Sequence, residues 1–113
     1  MPFISFKTNH KLTLKQENTI KERTGELISL IPGKSESSLM IHMEDNQIMY
    51  FKGQEITCMM IEVNLYKQAS YEAKKDLTEA LIKMISETTR IKPDNIYVVF
   101  NEFENWGCKQ TYI

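Results

Sequence analysis

The chain has 113 residues, 42% of them hydrophobic, with 14 basic side chains set against 15 acidic ones. That is enough for one domain over residues 1–113 and too little for two comfortable cores. A formal net charge of −1 gives no electrostatic footprint for nucleic acid or an anionic membrane, so the expected partners are small molecules or proteins.

Cys58 and Cys108 are far apart and belong to no CxxC pair, which leaves neither a zinc cluster nor a dithiol motif; two buried free thiols are expected rather than a disulfide. Lys7, Asn9, His10 and Lys11 arrive too early for the apolar core of a signal peptide, and no apolar run reaches membrane-spanning length. These features point to a soluble, cytoplasmic protein.

In chain order, Met1-Pro2 comes first. The small second residue lets an aminopeptidase remove Met1, which would leave a proline with a free secondary amine. An α-amino group titrates near about 8, and burial or a neighbouring cation lowers that value, so such a nitrogen can serve as a base at neutral pH. Many chains begin this way with no chemistry attached. Phe3 to Lys7 reads as a strand, with Thr8-Asn9 ending it. Thr13 and Gln16 form a capping box, predicting a helix to about Leu30 with an apolar stripe of Ile20, Leu27, Ile28 and Ile31, stopped by Pro32-Gly33. Leu39 to Glu44 alternates as a strand, and Ile48 to Phe51 is expected to pair as a short one before a turn at Lys52-Gly53. Cys58 to Tyr66 is the longest strand candidate, with Met59, Ile61, Val63 and Leu65 on one face. Ser70 caps a second helix over Tyr71 to Thr89, striped by Ala73, Leu77, Ala80, Leu81, Met84 and Ile85. Lys92-Pro93-Asp94 turns the chain into a strand from Ile96 to Phe100. The remainder reads as loop, with a short strand at Gln110 to Tyr112.

The helix caps Thr13 and Ser70 stand the same distance apart in sequence as Leu39 and Ile96. The chain is therefore two βαβ pseudo-repeats, an α+β fold in which right-handed crossovers place both helices on one face of a four-stranded mixed sheet. The other face stays open and carries Met40, Met60, Tyr97 and Val99 beside His42, Glu62, Asn64 and Asn101. An open patch of that kind marks an interface, and a homo-oligomer is expected. His42 reads as a structural residue of that face.

Together, Met1-Pro2 opening the first strand, Thr8-Asn9, Pro32-Gly33-Lys34, Ile41-His42-Met43 with Gln47 to Phe51, Ile91 to Tyr97, and the Asn105-Trp106-Gly107 and Thr111-Tyr112 tail resemble the macrophage migration inhibitory factor family of the tautomerase superfamily. The resemblance covers nearly the whole chain. It implies a homotrimer whose three sheets form a barrel, with a site at each subunit boundary and no cofactor. It also implies keto–enol tautomerisation of phenylpyruvate-like keto acids. Several members are secreted signalling proteins without a signal peptide, so a protein receptor and a cytokine-like or protein-binding role with a vestigial pocket stand as the alternative.

By the resemblance, Pro2 is the general base, Lys34 binds the substrate carboxylate, Tyr66 offers a backbone amide, and Tyr97 comes from the neighbouring subunit. Apart from it, Lys34 after a Pro-Gly stop is more often a helix-end cation, and Tyr97 reads as a strand tyrosine packed at a subunit boundary. Four departures stand out. Val99 replaces an asparagine of the pocket, and Tyr66-Lys67 replaces a small Ile-Gly pair. Cys108 stands where a tryptophan commonly follows the glycine, and Ile61 breaks the CxxC of some members. The proton-transfer groups are retained while the substrate-shaping ones have changed, so phenylpyruvate is expected to be a poor substrate.

Overall fold

The computed structural model describes residues 1–113. Strand β1 (Pro2–Thr8) is followed by helix α1 (Leu14–Leu27), β2 (Met40–Glu44), β3 (Met59–Tyr66), α2 (Tyr71–Thr89) and β4 (Ile96–Phe103), then by a small hairpin of β5 (Gly107–Cys108) and β6 (Thr111–Tyr112). The sheet order is β2-β1-β3-β4. Parallel β1/β2 and β3/β4 pairs are joined by an antiparallel β1/β3 pair, giving the mixed sheet expected from the two half-repeats.

Local chemistry sets the helix boundaries. Thr13 Oγ1 accepts from the Gln16 amide at 3.1 Å, and Gln16 Oε1 accepts from the Thr13 amide at 3.0 Å. Two of the amides that a helix start leaves without partners are thereby satisfied. Ser70 Oγ does the same for Ala73 at the start of α2, which ends on Arg90 in the left-handed region. The α1 end is tighter than the sequence indicates: the α-helix stops at Leu27, and a 3-10 turn over Ile28–Leu30 precedes the Pro-Gly stop.

Period-two burial builds the sheet side of the core. Met59, Ile61, Val63 and Leu65 are buried beneath the helices, as are Ile4 and Phe6 of β1, and Ile20, Ile28, Leu77, Leu81, Met84 and Ile85 meet them from above. The opposite face is uncovered: Met40 is 67% exposed, Tyr97 56% and Val99 39%. Polar pairs cross that face. Lys7 meets Glu62 at 2.7 Å and Asn101 donates to Asn64 at 3.2 Å, while Ser5 Oγ stands 3.4 Å from His42 Nδ1. No helix is long and apolar enough to cross a membrane.

Three expectations need correction. Ile48 to Phe51 is not a strand. The Lys52-Gly53 turn forms, with positive φ at both residues, but it closes only a Phe51/Gln54 bridge. The segment pairs with no strand of the sheet, and Ile48 is 88% exposed. Secondly, β4 continues past Phe100 to Phe103, because β3 offers backbone partners up to Tyr66. Thirdly, both cysteines are free and Cys58 is buried, but Cys108 is only half-buried.

Glu102, in that extension of β4, ties the sheet to α2. Its carboxylate accepts from the Ala69 amide and from Lys74 Nζ at 2.6 and 2.8 Å. The Lys74 hydrogen bond, then the Ala69 amide, hold its pKa below the ordinary 4.5. A depressed carboxylate stabilises the fold above its unfolded pKa, and that stability is lost as pH falls through the folded value. Glu102→Gln should therefore cost about 1.5 kcal/mol at neutral pH. In urea unfolding, the gap to the parent should narrow as the pH drops below about 4.5.

Candidate functional site

The chain comes to its candidate site at the end of β1 where that strand begins. Pro2 is buried and paired with Leu65 of β3. The first residue of a strand is where a missing N–H costs least, so proline fits here without breaking the ladder. The Met1 carbonyl accepts from the Tyr66 amide at 3.4 Å.

Lys34 reaches the same place by turn chemistry. The Lys34 amide donates to the Ile31 carbonyl at 3.1 Å, across Pro32 and a Gly33 with φ of 82°. Proline second and glycine third, with positive φ at the glycine, is the arrangement of a type II turn. The turn brings the Lys34 side chain over β3, where Nζ donates to the Tyr66 carbonyl at 3.0 Å. That carbonyl takes one of the three donors of the ammonium group.

The amino group of Met1 lies beside that ammonium. Burial is the first cause holding its pKa below the ordinary 8.0; the Lys34 charge and a hydrogen bond with the Lys34 side chain act in the same direction. Cys108, brought back by the terminal hairpin, acts weakly in the opposite sense. The amine at this end of the sheet is thus easier to deprotonate than an ordinary one.

A cleft of about 270 Å³ opens here, lined by Pro32, Lys34, Tyr66, Lys67, Ala69 and Ser70 among others. Its ionisable walls are cationic. Lys34 and Lys67 both face the Tyr66 ring, with Nζ 5.9 and 5.3 Å from its centroid. A larger cleft of about 530 Å³ between α1 and β2 is lined by Glu17, Lys21, Glu36 and apolar residues of β2.

Of the site residues expected from sequence, Pro2, Lys34 and Tyr66 converge within the chain. Tyr97 and Val99 do not. The pairing register puts Pro2 and Leu65 level with Glu102, whereas Tyr97 lies five positions back along β4, about 16 Å away at strand spacing. There it meets Phe51 edge-on at 5.2 Å. Val99 lies opposite Glu62 on the open face. One further feature had no sequence signal: the Met1 carbonyl on the Tyr66 amide, which depends on tertiary return of the chain.

The comparison with known proteins agrees with this architecture. The chain matches the macrophage migration inhibitory factor (MIF) family over residues 1–111. Similar solved structures include a MIF protein of Leishmania major, 19% identical, with a TM-score of 0.92 over 100% of this chain and 97% of that one. A macrophage migration inhibitory factor homologue from Prochlorococcus marinus is 20% identical, with a TM-score of 0.87 over 97% of each chain. A third, 22% identical with a TM-score of 0.77 over 89% of this chain and 85% of the other, is of a protein inactivated by 2-oxo-3-pentynoate. These structures establish the fold, and the match along nearly the whole sequence establishes the family: the chain belongs to the macrophage migration inhibitory factor family.

Proposed function

We propose that the protein is a cofactor-free keto–enol tautomerase of 2-keto acids that uses the Pro2 amine, exposed by removal of Met1, as its general base. The observation that carries this reading is the convergence of a buried strand-initial proline, the Lys34 ammonium and the Tyr66 amide at one end of the sheet.

Proton abstraction beside a carbonyl needs a neutral base, a cation for the carboxylate and a donor where enolate charge develops. With Met1 gone, the Pro2 nitrogen is a secondary amine subject to the same burial and the same Lys34 cation that lower the amine pKa in the full chain. Loss of Met1 also removes the carbonyl that the Tyr66 amide donates to, freeing that N–H for a substrate oxygen. Lys34 takes the carboxylate. Pro2 removes a proton from the carbon next to the keto group, negative charge moves to the keto oxygen near the Tyr66 amide, and the protonated amine returns the proton to that oxygen. The product is the enol, with no net change in protons or electrons.

Tyr97 and Val99 enter from a neighbouring copy in this reading. Two facts support a homotrimer: the apolar residues left on the open sheet face, and the placement of Tyr97 at the end of β4 remote from its own Pro2. The 13.3 kDa chain should sediment at three times its mass, and Val99→Glu on the open face should shift that species towards monomer. Retained Met1 favours the alternative, a protein-binding module with a vestigial pocket, because it acylates the Pro2 nitrogen and occupies the Tyr66 amide.

Protein of confirmed intact mass, lacking Met1, should ketonise or enolise phenylpyruvate above the buffer rate but poorly. Pro2→Ala should lose most of that rate, at least about 100-fold for removal of a general base. A wild-type rate equal to buffer, or an unaffected Pro2→Ala, rejects the mechanism for this substrate. Treatment with 2-oxo-3-pentynoate, an electrophilic 2-keto acid, should add one reagent mass at Pro2.

The pH profile supplies a separate check. The base acts when neutral, so kcat/KM should rise with pH through a Pro2 amine pKa lowered by burial and the Lys34 cation, the causes that lower the Met1 amine in the full chain. Lys34→Gln removes one lowering cause and leaves burial, so the acid limb should move to higher pH while KM rises.

A further inference from the structure

Lys67 follows β3 at a backbone position made for glycine. Its φ is 68°, in the left-handed region where a side chain costs about 1 kcal/mol or more relative to glycine. The Lys67 amide donates to the Phe103 carbonyl at 2.7 Å, which fixes the turn. Five other non-glycine residues share a positive φ, so strain alone carries little. Lys67 differs in where it stands: on the wall of the cleft that holds Lys34.

The Lys34 and Lys67 ammonium groups both lie against the Tyr66 ring, 5.9 and 5.3 Å from its centroid. Lys34 has its carbonyl partner at 3.0 Å. The only carboxylate against Lys67 is Glu104, 3.5 Å away, with side chains 54% and 78% exposed. An ion pair so open to water is weak and readily exchanged. The same cleft is also lined by Gln68, Ala69 and Ser70, which lead into the N-terminus of the 19-residue α2, where the helix dipole adds positive potential. One cation suffices for the carboxylate of a simple keto acid. The second is left over.

We propose that Lys67 is a specificity-determining residue that binds a second carboxylate, and that the ligand class of this site is short-chain 2-oxo dicarboxylic acids. The proposal rests on the reading of the cleft as a 2-keto acid site and extends it. Lys34 holds the carboxylate next to the keto group, Lys67 holds the distal one, and the Tyr66 ring that both cations approach is the wall along which the carbon chain runs. Val99 is consistent with this: its hydrocarbon side chain offers no hydrogen bond, so polar selectivity falls to the lysines.

The test compares 2-oxoglutarate with 2-oxopentanoate, acids of the same chain length that differ in the distal carboxylate, by titration calorimetry on Met1-free protein at low salt. The parent should bind 2-oxoglutarate about three- to fivefold tighter, a ratio expected of one partly exposed charge pair. Lys67→Gly, which relieves the backbone strain and so folds, should bring the ratio close to one. Glu104→Gln, which removes the competing carboxylate, should raise it. Equal affinities in the parent, no measurable binding of either acid, or a Lys67→Gly variant that keeps the ratio would each overturn the proposal. Phenylpyruvate turnover reports separately on the base. A parent that prefers the diacid but shows no Pro2-dependent turnover retains the ligand class and loses the tautomerase reading.

Discussion

The position of β1 between two other strands is the constraint on which the rest of the structure depends. β1 pairs with β2 on one side and β3 on the other, so Pro2 is drawn into the middle of the sheet instead of fraying at an edge. A chain terminus is normally poorly ordered unless something ties it down. Here the ties are the Leu65 rung and the Tyr66 amide. Burial follows from that placement, and burial is also the largest cause of the lowered pKa of the Met1 amine one residue before it. The chemistry proposed for Pro2 is thus a property of strand order before it is a property of any neighbouring side chain.

Side-chain anchors around the other end of β1 serve the same strand. Thr8 Oγ1 donates to the Cys58 carbonyl at 2.7 Å, and Asn9 clamps the following loop by donating to the Ile56 carbonyl at 2.8 Å and accepting from the Cys58 amide at 2.9 Å. Asp45 reaches back to the Leu12 amide at 2.9 Å. These bonds satisfy backbone groups of a long connection that has no ladder of its own. They also fix the register in which β3 meets β1, since a slip of one residue would turn Ile61, Val63 and Leu65 to the open face.

Much of this was legible in the residues. The capping box at Thr13, the Ser70 cap, the stripe of α2 and the alternation of β3 are local patterns with local causes, and the structure follows them closely. Ile48 to Phe51 has strand composition but no strand partner, and β-propensity describes fit to a sheet surface that must first be present. The polar Asn101 and Glu102 read as a strand end, yet β4 runs on because pairing is decided by the neighbour's backbone. Pro2, Lys34 and Tyr66 were nameable by resemblance and do converge. Their distances and the Glu102 anchor arise from elements distant in sequence, for which no short pattern exists.

The placement of β1 also bears on how the molecule acquires its shape. Phe3 pairs with Met40 on one side and Asn64 on the other, so the hydrogen bonds of this strand are all non-local. Loops must close before any of them forms, and that entropy makes such sheets slower to assemble than helix pairs. The two capped helices can form from neighbouring residues alone, on timescales near a microsecond. Productive folding therefore waits on β3 finding β1, and the rate at which native sheet appears should be governed by that single long-range encounter rather than by either helix.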